Sequence, residues 1–522
     1  MRAMTTPWTR RRWLAESGLL LGSLAARVPA AAPADRSYRT VSIFHTTDLH
    51  GHILPTTNYD GVGDLGGLAR CATQIRRWRQ ESPDHLLVDI GDSYQGTPEG
   101  WSTKGRIMID LFNRLGYHAW VPGNHDLDWG RAVIDDALAR TTSAPLCANL
   151  TVDGKAPAES DGPWRKVAPF VVKEVGGFRL ALVGLTTPGL PDWLPAETLG
   201  GLAAVDPVEA LAKCMPAVKA AKPDAVIVLG HMGWKFQDDF DNPVRSILRT
   251  VRGIDVYLAG HSHQDQPSWV QNGVLCSQAS YHGIHCGRVD LTFDAGSRKL
   301  VDSRAFTVLM DGRFAPDPEV LAAAEPATTK AAAEMARPVA ELAAPLGGDG
   351  RDSQVGNLLC RAFATTLGKA GVQVDGVFHG TFGTGDLPSG TLTVSDCWKL
   401  LPYENLLVVA SFTGAQLAEI VREDAAVARS DRRLWGFEIG FDPRGKIARF
   451  LHRGKPVADL QQRFVIACNS FDSQSGGGRL PLLRQFILDP AAQRRLTAID
   501  TRSALIGYLL DRKRIDASDA EA

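Results

Sequence analysis

Val41-Ser42-Ile43-Phe44-His45-Thr46-Thr47-Asp48-Leu49-His50-Gly51-His52 runs from a β-branched apolar segment straight into carboxylate and imidazole. The segment to His45 reads as a strand, and the polar residues fall just beyond its carboxyl end, where α/β sheets build their sites. The pattern recurs. Further strands are expected at His85 to Ile90, Phe170 to Val175, Phe178 to Gly184, Ala225 to Gly230 and Ile254 to Gly260. Segments between them, such as Leu65 to Gln80, Gly105 to Leu115 and Pro207 to Ala221, have helical spacing. Strands alternating with helices from Thr40 to about Thr307 predict an α/β domain whose sheets are covered by helices.

Beyond it the composition changes. Residues 316–346 are alanine-rich and interrupted by Pro318, Pro326, Pro338 and Pro345, which reads as a helical linker. The expected boundaries are 1–34 for a targeting segment, 35–315 for the first domain, 316–346 for the linker and 347–522 for a smaller α+β domain. Strands in the latter are expected at Gly376 to His379, Leu406 to Phe412, Phe437 to Phe441 and Phe464 to Cys468.

Five motifs stand in order: Asp48-Leu49-His50-Gly51-His52, Gly91-Asp92, Gly123-Asn124-His125-Asp126-Leu127-Asp128, Gly230-His231 and Gly260-His261-Ser262-His263. A lone Gly-Asp or Gly-His is ordinary turn chemistry, but five such clusters at successive strand ends are not. Divalent ions accept carboxylate, amide and imidazole ligands, and two ions about 4 Å apart can share a carboxylate and a hydroxide. Such a pair acidifies water, screens a phosphoryl group and stabilises in-line attack. A histidine oriented by a carboxylate can then protonate the leaving oxygen. His125 and Asp128 fit that role, since positions three apart share one helical face.

These motifs resemble those of calcineurin-like metallophosphatases, and within them the exported two-domain bifunctional metallophosphatase/5'-nucleotidase family. The resemblance is strong from Val41 to Val289 and weaker after Gly347. It implies a four-layered α-β-β-α sandwich followed by a 5'-nucleotidase-type domain. Asp48, His50, Asp92 and His263 would hold one ion and Asp92, Asn124, His231 and His261 the other, with Asp92 as the bridge. His263 stands where many relatives have glutamine. The implied ions are Mn or Zn first, with Mg, Fe or Co as alternatives. The implied activity is hydrolysis of small phosphoesters, 5'-nucleotides or 2',3'-cyclic nucleotides, by metal-bridged hydroxide with His125 and Asp128 as the catalytic dyad.

In the second domain the resemblance assigns substrate-binding roles to Arg351 for phosphate and to Tyr403 and Phe471 as rings around a base. Three departures oppose a simple transfer. An asparagine of the family becomes His379, its phosphate arginine becomes Thr384, and its ribose-binding aspartate becomes Gly478. Losing two charged contacts removes about 1.5–3 kcal/mol of recognition each. Arg479 carries the nearest replacement charge.

The 522 residues are 44% hydrophobic and 22% charged, with formal net charge −1, an ordinary globular balance that provides no basic field for nucleic acid. No segment is long and apolar enough to span a membrane. Thr9-Arg10-Arg11-Arg12-Trp13-Leu14, an apolar stretch and Ala32-Pro33-Ala34 resemble a twin-arginine export signal. A mature protein starting at Asp35, the twin-arginine translocase as a transient partner, and a periplasmic or otherwise exported location are expected. Removing residues 1–34 takes away five arginines and one glutamate, so the mature charge becomes −5. Phosphate must then be attracted by local metal charge.

The eight cysteines contain no C-x-x-C pair and read as buried thiols, with Cys276 and Cys286 the one candidate disulfide. Of the 13 histidines, all but His379 and His452 lie at or before His285. His45 reads as a core residue, His52 as a support for the site or its substrate, and His282 and His285 as packing or surface groups. Two other readings stay open: a thiosulfohydrolase of sulfur oxidation, which Gly91-Asp92-Ser93-Tyr94-Gln95-Gly96 resembles, and a metal-stabilised binding protein without turnover. The intact Asn124-His125 pair opposes the first.

Overall fold

Ile43 and Phe44 point to opposite faces of one strand, and that alternation builds the first domain. The computed structural model describes residues 37–521 apart from 349, 352, 382–384 and 429, so the export segment and Thr384 lie outside the described residues. Strand Tyr38–Thr46 sits inside a six-stranded sheet ordered Leu300–Leu309, His285–Asp294, Tyr38–Thr46, His85–Asp89, Ala119–Trp120 and Ala144–Pro145. A second six-stranded sheet runs Asp265–Gln271, Val274–Ala279, Val256–Ala259, Ala225–Gly230, Phe178–Leu185 and Phe170–Val175.

Val41 and Ile43, with Val88, Leu182, Ile227, Leu258 and Val289, fill the space between the sheets, where Phe178 stacks on Phe293 at 4.3 Å. Phe44 faces outward against Trp78 of helix Leu68–Glu81. That helix, Arg106–Leu115 and Arg131–Arg140 cover the first sheet, and Pro207–Ala220 and Val244–Thr250 cover the second. The result is the four-layered α-β-β-α sandwich. Tyr38–Thr46, His85–Asp89 and Ala119–Trp120 are parallel, as are Phe178–Leu185, Ala225–Gly230 and Val256–Ala259. Their carboxyl ends therefore converge on one edge of the sandwich.

The 316–346 segment is not uniformly helical. A helix spans Pro318–Met335, with Pro318 in its first turn, and buries Val320, Ala324, Ala327 and Ala331. The first three join the core under helix Leu68–Glu81, so the alanines form a close-packing face. Pro338–Leu342 is instead a strand, pairing with Gly390–Thr393 and Arg514–Ile515 of the second domain. Proline is tolerated there because it opens the strand. The Asp317 carboxylate caps the helix, accepting from Glu319 N and Val320 N at 3.0 Å each. Asp317→Ala is expected to cost about 0.5–2 kcal/mol in urea unfolding; an unchanged midpoint would contradict the cap.

The second domain is a five-stranded mixed sheet ordered Arg433–Trp435, Gly376–His379, Arg463–Asn469, Leu406–Thr413 and Arg495–Asp500. Helices Gln354–Lys369 and Thr501–Arg512 pack on one face, and Gly414–Ala426 and Pro481–Leu488 on the other. The expected strand alternation falls where it was read. All eight cysteines are free thiols. The candidate disulfide does not form, because Cys276 and Cys286 lie on strands of different sheets.

Candidate metal centre

Tight turns at the strand ends aim the motif residues inward. Asp48, His50, Asp92, His261 and His263 all adopt left-handed backbone, with φ between 48° and 68°. This conformation is uncommon without glycine and clusters at functional sites. Backbone hydrogen bonds lock the turns together: Asp48 N donates to Gly91 O at 2.9 Å and His50 N to Asp92 O at 2.8 Å. Gly123 is required by close approach, since a Cβ there would lie 2.2 Å from Asp92 Oδ1.

Two groups of donor atoms result. Asp48, His50, Asp92 and His263 offer ligand atoms within 4.8 Å of one another, and so do Asp92, His231 and His261. Asp92 belongs to both. Asn124 joins the second group, its Oδ1 lying 3.3 Å from His231 Nε2. His231 Nε2 is 3.1 Å from Asp92 Oδ2, and His263 Nε2 is 3.5 Å from Asp48 Oδ1.

The outer nitrogens decide which lone pairs face inward. His50 Nδ1 meets the Gln95 carbonyl at 3.0 Å and His231 Nδ1 the Ile90 carbonyl at 2.7 Å. A carbonyl only accepts, so both Nδ1 atoms donate and both Nε2 lone pairs face the cluster. His261 Nε2 lies 2.9 Å from Asp241 Oδ2, which turns its Nδ1 lone pair inward. Acceptors thus converge on acceptors in a buried place, an arrangement that fits divalent cations.

Charge follows the same logic. Burial pushes His50 down to about 3 and His263 well below its ordinary value, so both are neutral. Burial opposes ionisation of Asp92, but His231 and His125 outweigh it and hold that carboxyl well below the usual range. Asp48 is raised to about 6 by burial. His125 Nδ1 donates to Asp128 Oδ2 at 2.7 Å. Burial would lower that imidazole, yet Asp128 and Asp92 raise it to about 10. The two residues bracket a 3-10 turn over His125–Leu127, beside His50 at a ring separation of 5.3 Å.

The other histidines divide as expected in part. His45 is fully buried in its strand. His52 stacks on His282 at 3.6 Å, and His282 meets the edge of His50, so both pack behind a candidate ligand. His285 faces Asp265 at 3.4 Å.

The substrate candidates separate. Tyr403 comes to the cluster's edge, its ring 6.5 Å from Tyr59. Arg351 is bound to Asp424, through Nε at 3.1 Å and the Asp424 carbonyl at 2.7 Å. His379 is 1% exposed and packs edge-on against Phe363, within the domain core. Phe471 lies on the short helix Ser470–Ser473, next to a buried bidentate pair between Arg432 and Asp472. Arg479 turns back to the Gly476 carbonyl.

Four supporting residues were given no role by the sequence, although Asp126 stands inside the third motif. Asp241 orients His261. Asp126 accepts from Gly123 N and Ser93 N, joining two motif loops. Tyr59 reaches His263 Nδ1 at 2.8 Å. Glu404, from the second domain, accepts from Trp129 Nε1, Gln95 Nε2 and Arg502 at 2.8, 3.2 and 3.0 Å. It braces the residue after Asp128 and the one whose carbonyl holds His50.

The calcineurin-like phosphoesterase family pattern matches residues 41–265, and the 5'-nucleotidase C-terminal domain matches 336–485. The chain is 22% identical to the trifunctional nucleotide phosphoesterase protein YfkN of Bacillus subtilis, over 91% of this chain and 38% of that one. It is 33% identical to a 5'-nucleotidase of Rattus norvegicus, over 47% of this chain and 41% of that one. It thus spans about two fifths of the length of these two curated relatives. Among solved structures, a 5'-nucleotidase precursor from Thermus thermophilus superposes with TM-score 0.64 and 24% identity, covering 92% of this chain and 97% of that one. The sulfate thiohydrolase SoxB of the same organism superposes with TM-score 0.60 and 18% identity, covering 91% and 94%. Both likenesses are of fold.

Proposed function

The chain belongs to the calcineurin-like phosphoesterase family and carries a 5'-nucleotidase C-terminal domain, and from that premise we propose that it is a two-metal hydrolase of small phosphoesters, 5'-nucleotides or 2',3'-cyclic nucleotides. One observation carries the reading: two donor groups share Asp92, and a histidine-carboxylate dyad stands at their edge. Divalent ions, when bound, would supply the charge that acidifies water and neutralises phosphoryl oxygens. Asp48, His50, Asp92 and His263 would hold one, and Asp92, Asn124, His231 and His261 the other. His125, fixed by Asp128, would donate its Nε2 proton to the leaving oxygen.

For the substrate, Tyr403 is the best-supported second-domain contact because it alone of the four candidates reaches the metal cluster through Tyr59. Arg351 would have to leave Asp424 to bind phosphate, and His379 supports the domain core. The exported location rests on the amino-terminal segment. The thiosulfohydrolase alternative has a shared fold in its favour and the Asn124-His125 pair against it.

The test is to purify the protein with Mn2+ or Zn2+ and assay p-nitrophenyl phosphate, bis-p-nitrophenyl phosphate and AMP. Hydrolysis of at least one, lost on chelation, is expected; no hydrolysis of any would overturn the reading. Asp241→Ala is expected to weaken one ion about 10–100-fold while the other stays. Chelator titration followed by elemental analysis reads this directly, and equal weakening of both ions would contradict the Asp241–His261 pairing.

A further inference from the structure

Tyr59 lies in the loop after the first motif, and its ring is held although half of the residue is exposed. It stacks on Tyr281 at 4.2 Å and 12° between planes, and its backbone N–H donates to the Tyr281 hydroxyl at 3.1 Å. A bridge between Thr56 and Leu65 closes the loop, and Asn58 Oδ1 accepts from Asp60 N and Val62 N inside it. Tyr281 also stacks on His263 at 5.3 Å. The Tyr59 hydroxyl is thereby delivered to His263 Nδ1 at 2.8 Å.

These contacts bear on a tautomer. His263 Nε2 points into the cluster, 3.0 Å from His50 Nε2 and 3.5 Å from Asp48 Oδ1. A neutral imidazole offers a lone pair at Nε2 only when its proton sits on Nδ1. The atom in place to accept that proton's hydrogen bond is the Tyr59 oxygen. Tyr59 accepts there only if its own O–H points away from the imidazole. If Tyr59 instead donated to Nδ1, the proton would move to Nε2 and the lone pair would face away from the cluster.

We propose that Tyr59 is a positioning residue that sets the tautomer of His263 for metal binding. No proton leaves the chain. The proposal rests on the two-metal reading above.

The test uses the full chain loaded with Zn2+. Tyr59→Phe keeps the stack on Tyr281 and removes only the hydroxyl. It is expected to weaken one of two bound ions about 10–100-fold by chelator competition. In a His263→Gln background, Tyr59→Phe is expected to have no further effect. Ring 15N shifts of His263 in the Zn2+-loaded protein should show protonated Nδ1 in the wild type and a loss of that single tautomer in Tyr59→Phe. Unchanged affinity in Tyr59→Phe, or equal loss with His263→Gln present, would overturn the positioning role. A wild-type His263 protonated at Nε2 would overturn it too, even if Tyr59→Phe folded poorly. A wild-type protein that retains no ion would instead sink the two-metal reading, and this proposal with it.

Discussion

Asp92→Ala is expected to empty both ion positions together and to lower kcat/KM by about 10^4-fold, several kcal/mol of charge stabilisation at 1.36 kcal/mol per tenfold. The reason is geometric. Asp92 Oδ2 faces His231 at 3.1 Å and His50 at 3.7 Å, while Oδ1 accepts the His125 backbone N–H at 2.8 Å. The carboxylate is thus the one group belonging to both donor sets and also the anchor of the dyad's backbone. Alanine removes all three roles and leaves the dyad's amide without its partner. His263→Ala, by contrast, should cost one ion. Elemental analysis of the two variants separates the cases, and an Asp92→Ala protein still holding one tight ion would refute the shared-carboxylate assignment.

The second large effect concerns His125. His125→Ala should lower kcat by about 10^2–10^4-fold, the range for a positioned proton donor, with both ions retained. Only the side chain leaves, so the backbone bond to Asp92 survives. Activity on a substrate whose leaving group departs as a stable anion, such as p-nitrophenolate, should fall less than activity on AMP. Loss of metal together with activity would show that His125 is structural, and an equal fall on both substrates would remove its role as proton donor.

How much of this was legible depended on whether a residue's task left a local trace. The ligand candidates did: Asp48, Asp92, Asn124, His231 and His261 follow apolar strands at short spacing, so period and punctuation together marked them. The α/β domain with helix-covered sheets followed from the same alternation, and its four layers from the family resemblance. Asp241 and Tyr59 left no such trace. Each lies on a loop and acts on a residue about 20 or 204 positions away, and a polar residue in a polar loop looks like every other. Glu404 was hidden differently, since a carboxylate in a chain with 58 acidic residues is unremarked until two domains meet around it. The 316–346 segment misled for a physical reason. Alanine and proline suggest a spacer, but Ala324, Ala327 and Ala331 recur at helical spacing because a small-residue face packs close to its neighbours. The second-domain substrate residues were the least legible. Arg351 had a carboxylate partner in Asp424 that no spacing rule could supply.

The five left-handed residues at the strand ends have a consequence for anyone seeking a sturdier scaffold. Each such conformation costs about 1 kcal/mol or more, paid by the rest of the fold. Glycine at Asp48, His50, Asp92, His261 or His263 would relieve that cost, so a screen for heat resistance alone would select against the residues expected to hold metal. Durability and chemistry compete for the same five positions, and improvement of one without the other has to be sought elsewhere, for example at the cap of helix Pro318–Met335.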